Sequence, residues 1–279
     1  MSDVLYLAIL DRLIGIRCAS EPALRHLNMV YGAMQCAPPS RRLRASWRLD
    51  CPDGHTWRIS RAHRLYALYD DLITALWNLE FHVLREALTR DTRHLVFHAA
   101  CVTLGGDALA LMGDSGSGKS TAALRLLERG CRLVSDEWTA WRKTDGALVP
   151  IPRAPLVKAG ADLSGSSPGA RHDNLLQHLD GRGYRAVPRS CVSRVRPYRL
   201  QVVELARGIG PPRIQPLSLA AAMHRLVEAC FFRDRFDQKA FTALVNQVSA
   251  RPALRLSGGR PEEVERLLSG LMGNRGAPA

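Results

Sequence analysis

The segment Gly113-Asp-Ser-Gly-Ser-Gly-Lys119-Ser120 constrains this chain more than any other. It fits G-x-x-x-x-G-K-[ST] at every fixed position, and each residue type there has a physical job. Gly113, Gly116 and Gly118 let successive backbone N–H groups turn inward, forming an anion nest that side chains would obstruct. A helix starting near Lys119 adds the positive end of its dipole. Lys119 is expected to reach the β- and γ-phosphates of a nucleoside triphosphate, and the Ser120 hydroxyl to ligate Mg²⁺. Asp114, Ser115, Ser117 and Thr121 complete the expected nucleotide-binding set. An apolar strand, Leu109-Ala-Leu-Met, precedes the loop, and an amphipathic helix follows it to Arg129, with Gly130 at C′. Strand, loop and helix in this order imply an α/β fold.

Residues on either side narrow the chemistry. Asp136 lies 17 residues past Lys119, at the end of a predicted strand, where a metal-organising or base carboxylate is expected. Glu137 makes it an acidic pair. His98 lies on a predicted strand 15 residues before Gly113, which brings an imidazole near the phosphates if that strand packs beside the loop.

The rest of the chain divides at its change of character. Residues 1–93 read as a small α+β domain: a strand near 4–16, a helix from Glu21 through Met34, and a strand over 42–50. That strand meets Trp57–Ser60 across an Asp53-Gly54 hairpin tip. Leu65, Leu68, Leu72, Leu76, Leu79 and Val83 form a helix-period stripe over 62–89, and Tyr66, Tyr69, Trp77 and Phe81 are expected in its core. From residue 94 to 273, strand, turn and helix alternate: strands at 95–104, 108–112, 131–135, 138–141, 148–151 and 198–205, and helices at 120–129, 219–229, 240–248 and 261–271. Residues 159–190, rich in Gly, Ser and Arg, read as a loop, and 274–279 as a frayed tail.

Composition excludes several classes. No apolar run approaches the roughly 18–20 residues needed to span a bilayer. Met1-Ser-Asp-Val lacks a basic n-region, and Asp11 and Arg12 interrupt the apolar stretch behind it, which argues against a signal peptide. Seven cysteines without a C-x-x-C pair argue against a disulfide framework or a zinc site. They fit buried apolar side chains in a reducing cytoplasm. The net charge of +13 is nearly all arginine and is dispersed, with Arg41-Arg42-Leu43-Arg44 its densest cluster. No recognition helix, aromatic RNA motif or zinc finger accompanies it, so no nucleic-acid partner and no membrane partner are expected. An assembly of identical chains is left open.

The stretch His98-Ala-Ala-Cys-Val…Gly113-Asp-Ser-Gly-Ser-Gly-Lys-Ser…Arg129-Gly-Cys-Arg-Leu-Val-Ser-Asp136-Glu137 resembles the catalytic core of the HPr kinase/phosphorylase family. It is most similar to the shorter HPr-kinase-like proteins, which include kinases of lasso-peptide precursors. The resemblance covers 98–137 closely and extends weakly through Pro152-Arg153-Ala-Pro155-Leu156-Val-Lys158 to the C-terminal helices. It implies a phosphate-loop kinase core of the HPr kinase/phosphoenolpyruvate carboxykinase-like type, ATP and Mg²⁺ as cofactors, and transfer to a serine of a peptide or protein. In that reading Asp136 is the base, Glu137 holds the metal or its waters, and His98 orients the pair or contacts phosphate. The roles of Asp136 and Glu137 are interchangeable, so both stand with Ser120 as candidate metal ligands. Arg153 and Lys158 are read either as phosphate or substrate contacts or as surface charge.

The chain also departs from the family pattern. Thr121 stands where a glutamate is usual, Glu137 where a second aspartate is usual, and Glu204-Leu-Ala-Arg207-Gly-Ile-Gly210 echoes a second signature out of register by one residue. These departures bear on HPr as substrate and on the reverse phosphorylase activity. Competing readings are a small-molecule kinase acting on free serine, a non-catalytic nucleotide switch or transport ATPase subunit, and a nucleic-acid-binding protein. Residues 1–93 are expected to dock the substrate, with Arg41, Arg42 and Arg44 beside a strand whose edge could pair with an extended peptide.

Overall fold

The computed structural model describes residues 3–38, 45–158 and 182–273. The chain forms two compact units. Among the described residues, unit 1 comprises 3–38, 45–91, 153–158 and 182–189, and unit 2 comprises 92–152 and 190–273. Against the expected continuous 94–273 domain, the described residues of 153–189 cluster with the N-terminal part.

Unit 1 begins with β1 (Asp3–Ile9) and β2 (Arg12–Cys18), then α1 (Glu21–Tyr31), β3 (Ala45–Asp50), β4 (Trp57–Arg61), β5 (Arg64–Tyr69) and α2 (Leu72–Thr89). The five strands form one sheet in sequence order, antiparallel except for the parallel β2–β3 pair. Period-two alternation buries Leu5, Leu7, Ile9, Ile14, Ile16, Trp47, Leu49 and Ile59. Helix α1 packs on β1 and β2, and α2 on β3, β4 and β5. Ser20 and Asp71 cap the two helices, accepting from the Ala23 and Thr74 amides.

Three expectations change here. The strand near 4–16 is a hairpin that turns at Leu10, whose φ is +53°. The 62–89 helix is a strand followed by a helix, because Ala62 and His63 turn the chain in left-handed conformations and Asp71 starts α2 afresh. Tyr66, Trp77 and Phe81 are about half exposed rather than core. Strand β3 is paired on both sides, so its edge takes no peptide, and Arg41, Arg42 and Arg44 lie outside the described residues.

Unit 2 opens with β6 (His94–His98), β7 (Ala100–Leu104), β8 (Asp107–Met112), α3 (Lys119–Glu128), β9 (Arg132–Ser135), β10 (Trp138–Arg142) and β11 (Ala147–Val149). The chain then gives β12 (Leu156–Lys158) and β13 (Arg182–Tyr184), an antiparallel pair belonging to unit 1. Unit 2 resumes with β14 (Arg196–Pro197), β15 (Arg199–Ala206), β16 (Arg213–Leu217), α4 (Leu219–Ala229), α5 (Gln238–Ser249), β17 (Ala253–Ser257) and α6 (Pro261–Gly273). Of the predicted loop 159–190, residues 159–181 lie outside the described residues, as does the predicted tail 274–279.

Two sheets result, one ordered β16-β17-β15-β8-β7-β9 and one ordered β14-β11-β10-β6. Strand β8 is buried along its whole length between β7 and its parallel neighbour β15. Phe97, Cys101, Ala110, Val134, Trp141, Val202, Leu226 and Leu244 belong to one continuous core. The predicted strand 95–104 breaks at Ala99, where the chain leaves one sheet for the other. The step from β9 to β10 makes the same crossing at residues 136–137.

Candidate active site

Strand β8 runs straight into the glycine-rich loop. Gly113 has φ +137°, and a Cβ there would lie 2.2 Å from the Leu205 carbonyl oxygen at the end of β15. Only glycine passes that point. A Cβ on Gly116 would meet the Arg207 guanidinium at 2.7 Å. Gly118, at φ +96°, is the N-cap of α3 and supplies no side-chain acceptor, whereas α1, α2, α4 and α5 are capped by Ser or Asp. A helix start without its own acceptor suits an incoming anion. Within the loop, the Ser117 hydroxyl is buried with no hydrogen-bond partner among the described residues.

Lys119 is buried and folds back over the loop, donating to the Gly113 carbonyl at 2.7 Å and the Asp114 carbonyl at 3.1 Å. Burial draws its ammonium below the ordinary lysine range, against the attraction of Asp136, Glu137 and Asp114. The Ser120 hydroxyl donates to Asp136 Oδ2 at 3.0 Å, which joins the start of α3 to the end of β9. The Ser135 hydroxyl accepts from the Trp138 amide at 2.9 Å and bends the chain so that Asp136 and Glu137 occupy the corner.

The matching corner lies at His98 and Ala99. His98 pairs with Trp138 across the β6–β10 ladder, and the Thr139 hydroxyl donates to the Ala99 carbonyl at 2.7 Å. Burial first, then Lys119, hold the His98 imidazole below the ordinary histidine range, while Glu137 pulls the other way. The structure therefore brings Lys119, Ser120, Asp136, Glu137 and His98 together around the loop. A cavity of about 260 Å³ opens on the loop's other flank, lined among others by Gly116, Thr121, Ala122, Arg207, Gly259 and Val264.

Arg207 is the residue that sequence reasoning undervalued. Its guanidinium donates to the Ser115 carbonyl at 2.7 Å, so the Glu204…Arg207-Gly echo sits on the loop despite its shifted register. Glu204, buried and paired with Met112 in the ladder, holds Arg225 at 3.0 Å. Arg153 and Lys158 belong to unit 1 instead. Arg153 is buried there on Glu80, 2.8 Å away, and Lys158 ends β12.

The donor set fits Mg²⁺ accompanied by phosphates. That cation takes one or two carboxylates and completes its shell with phosphate and water oxygens. Ser120 and Asp136 place a hydroxyl and a carboxylate together, with Glu137 next in the chain. No group of three or more His, Cys, Asp or Glu side chains forms a metal cage among the described residues.

By class, the chain is a mixed α/β protein with several sheets, whose glycine-rich loop joins a buried strand to a helix. It is 31% identical over 102 residues to the HPr kinase/phosphorylase of Clostridium beijerinckii, covering 36% of this chain and 32% of the relative. The Clostridium perfringens protein of the same name is 32% identical over 104 residues, or 37% and 32% of the two chains. The Brevibacillus brevis protein is 37% identical over 82 residues, or 29% and 20%. These relatives support an HPr-kinase-like family for this chain, which spans about a third of the length of the first two. No protein-family model matches the chain.

Proposed function

We propose that this chain is an ATP- and Mg²⁺-dependent serine kinase that transfers the γ-phosphoryl group to a serine hydroxyl of a peptide or protein. The observation that carries this reading is the 3.0 Å contact between the loop serine, Ser120, and Asp136, beside Lys119. It joins a phosphate-binding element to a carboxylate that can act on an acceptor. The name of the relatives, HPr kinase/phosphorylase, supports a phosphotransferase.

In the proposed reaction the loop amides and the α3 N-terminus bind the triphosphate, whose nucleoside enters the 260 Å³ cavity past Thr121. Lys119 exchanges its loop carbonyls for phosphate oxygens. Ser120 with Asp136 or Glu137 would hold Mg²⁺, which would supply charge neutralisation at the phosphates. The remaining carboxylate accepts the acceptor hydroxyl's proton as its oxygen attacks the γ-phosphorus in line and the bond to the departing ADP oxygen breaks. We assign that role to Asp136, with His98 beside the pair.

Asp136→Asn keeps the shape and removes the proton acceptor. Mg·ATP binding should persist while phosphoryl transfer to serine peptides falls by at least about 10²-fold, the lower range for loss of a general base. Near-normal turnover in this variant would remove Asp136 from the proton transfer. Running the assay with free serine beside the peptides reads out the small-acceptor alternative directly.

A further inference from the structure

Phe231 is a large apolar side chain left 41% exposed at the edge of the candidate catalytic cluster. It lies just past Cys230, the C-cap of α4, and its amide donates a hydrogen bond to the Val96 carbonyl at 3.0 Å, beside the Phe97–Cys230 bridge. One face of its ring is stacked on Trp138, with centroids 4.5 Å apart and planes 11° from parallel. The same ring lies 5.9 Å from the His98 imidazole. Trp138 itself is buried, follows Glu137 in the chain, and is the cross-strand partner of His98. The result is an aromatic surface that begins at the candidate catalytic residues.

The cavity on the other flank of the loop includes none of His98, Glu137, Trp138 or Phe231. If the nucleotide enters there, an occupant of Phe231 is on the acceptor side. Stacking covers one face of the ring only, so 41% of the residue stays in water at a cost that a bound apolar group would relieve. An aromatic ring offers little to a charged carboxylate and much to an aliphatic or aromatic side chain. Arg233, exposed two residues further on, is turned to the Glu228 carbonyl at 3.0 Å. Arg235 is stacked over Phe232 at 3.6 Å.

Resting on the kinase reading above, we propose that Phe231, stacked on Trp138, is an acceptor-specificity residue: it seats an apolar side chain adjacent to the serine to be phosphorylated. The acceptor class is therefore a polypeptide with a hydrophobic residue flanking its serine.

The test compares serine peptides that differ only in the flanking residue, leucine or phenylalanine against glycine or aspartate, on wild type, Phe231→Ala and Phe231→Leu. Wild type should favour the apolar-flanked peptides in kcat/KM. Phe231→Ala should lower that preference about tenfold, in the range worth one apolar contact at a specificity site, and mainly through KM. Phe231→Leu should retain part of it, which separates loss of an apolar surface from loss of fold. The Mg·ATP thermal shift of each variant checks the donor side. Transfer that proceeds without any flanking preference, or a preference untouched in Phe231→Ala, overturns this proposal and leaves the kinase reading standing. No transfer by wild type to any peptide, despite a Mg·ATP shift, overturns the kinase reading and this proposal with it.

Discussion

Lys119 shows how little of the loop is left to side-chain chance. Its ammonium, buried and bound to the Gly113 and Asp114 carbonyls, closes the loop on itself and lies within the field of Asp136 and Glu137. Lys119→Ala should abolish the thermal stabilisation by Mg·ATP. Ser120→Ala should keep the part seen without Mg²⁺ and lose most of the rest. A melting series at millimolar nucleotide, with and without Mg²⁺, measures both, and a wild type that shows no shift would defeat the nucleotide reading. At this scale the sequence was informative where chemistry forces residue type. Three glycines at fixed spacing, a lysine and a serine mark a phosphate loop, and the positive φ values at Gly113, Gly116 and Gly118 follow that demand. Arg207 was harder to see, because a one-residue shift in a motif says nothing about where a strand end packs. Phe231 carried no signal at all: a lone phenylalanine after a helix looks like core until its neighbours are known.

The elements of unit 1 are tied by one buried carboxylate. Glu80, on α2, accepts from Arg153 at 2.8 Å, from the Tyr184 hydroxyl at 2.8 Å and pairs with His26 at 2.6 Å. Burial alone would raise the Glu80 carboxyl, yet Arg153, His26 and Tyr184 hold it below the ordinary glutamate range. Its contribution to stability is thus fully present above the unfolded-state value, and is lost as pH falls through the lower folded value. Glu80→Gln would remove the buried negative charge that Arg153 and His26 share and should cost about 3–5 kcal/mol. The variant should also lack the loss of stability expected of wild type in acid below the glutamate range, as followed by urea midpoints across pH. Equal midpoints for the two proteins at neutral pH would contradict this account.

None of that network is legible in sequence, since Glu80 meets partners 54, 73 and 104 positions away. The misread helix over 62–89 has a local cause. Leu65, Leu68 and Leu72 fit helical spacing by coincidence, and Ala62-His63 makes its left-handed turn without the glycine or asparagine that would announce it.

The whole molecule is less separable than its sequence suggests. Unit 2 has its own core, and the two ends of its excursion into unit 1 return to the same strand. Ile151 donates to the Val134 carbonyl and Ser193 to the Leu133 carbonyl, each at 2.8 Å. A short linker joining 152 to 190, combined with removal of residues 1–91, should therefore yield a folded unit 2 that keeps its Mg·ATP shift. Removing 1–91 alone should yield insoluble protein, because Arg153 and Tyr184 lose the Glu80 they are buried against. Two well-behaved truncations, or none, would show that the boundaries lie elsewhere. The change to strand, turn and helix alternation from residue 94 suggests a border there, but no sequence pattern announces that a chain will come back.

That return also sets a timetable. A ribosome releases Glu80 early, and Arg153 and Tyr184 only after the glycine-rich loop and the Asp136–Glu137 corner have followed it. During that interval the carboxylate can meet His26 but neither Arg153 nor Tyr184. Unit 1 is thus early in synthesis and late in completion, and the loop of unit 2 is already outside the ribosome before the older part of the chain can finish.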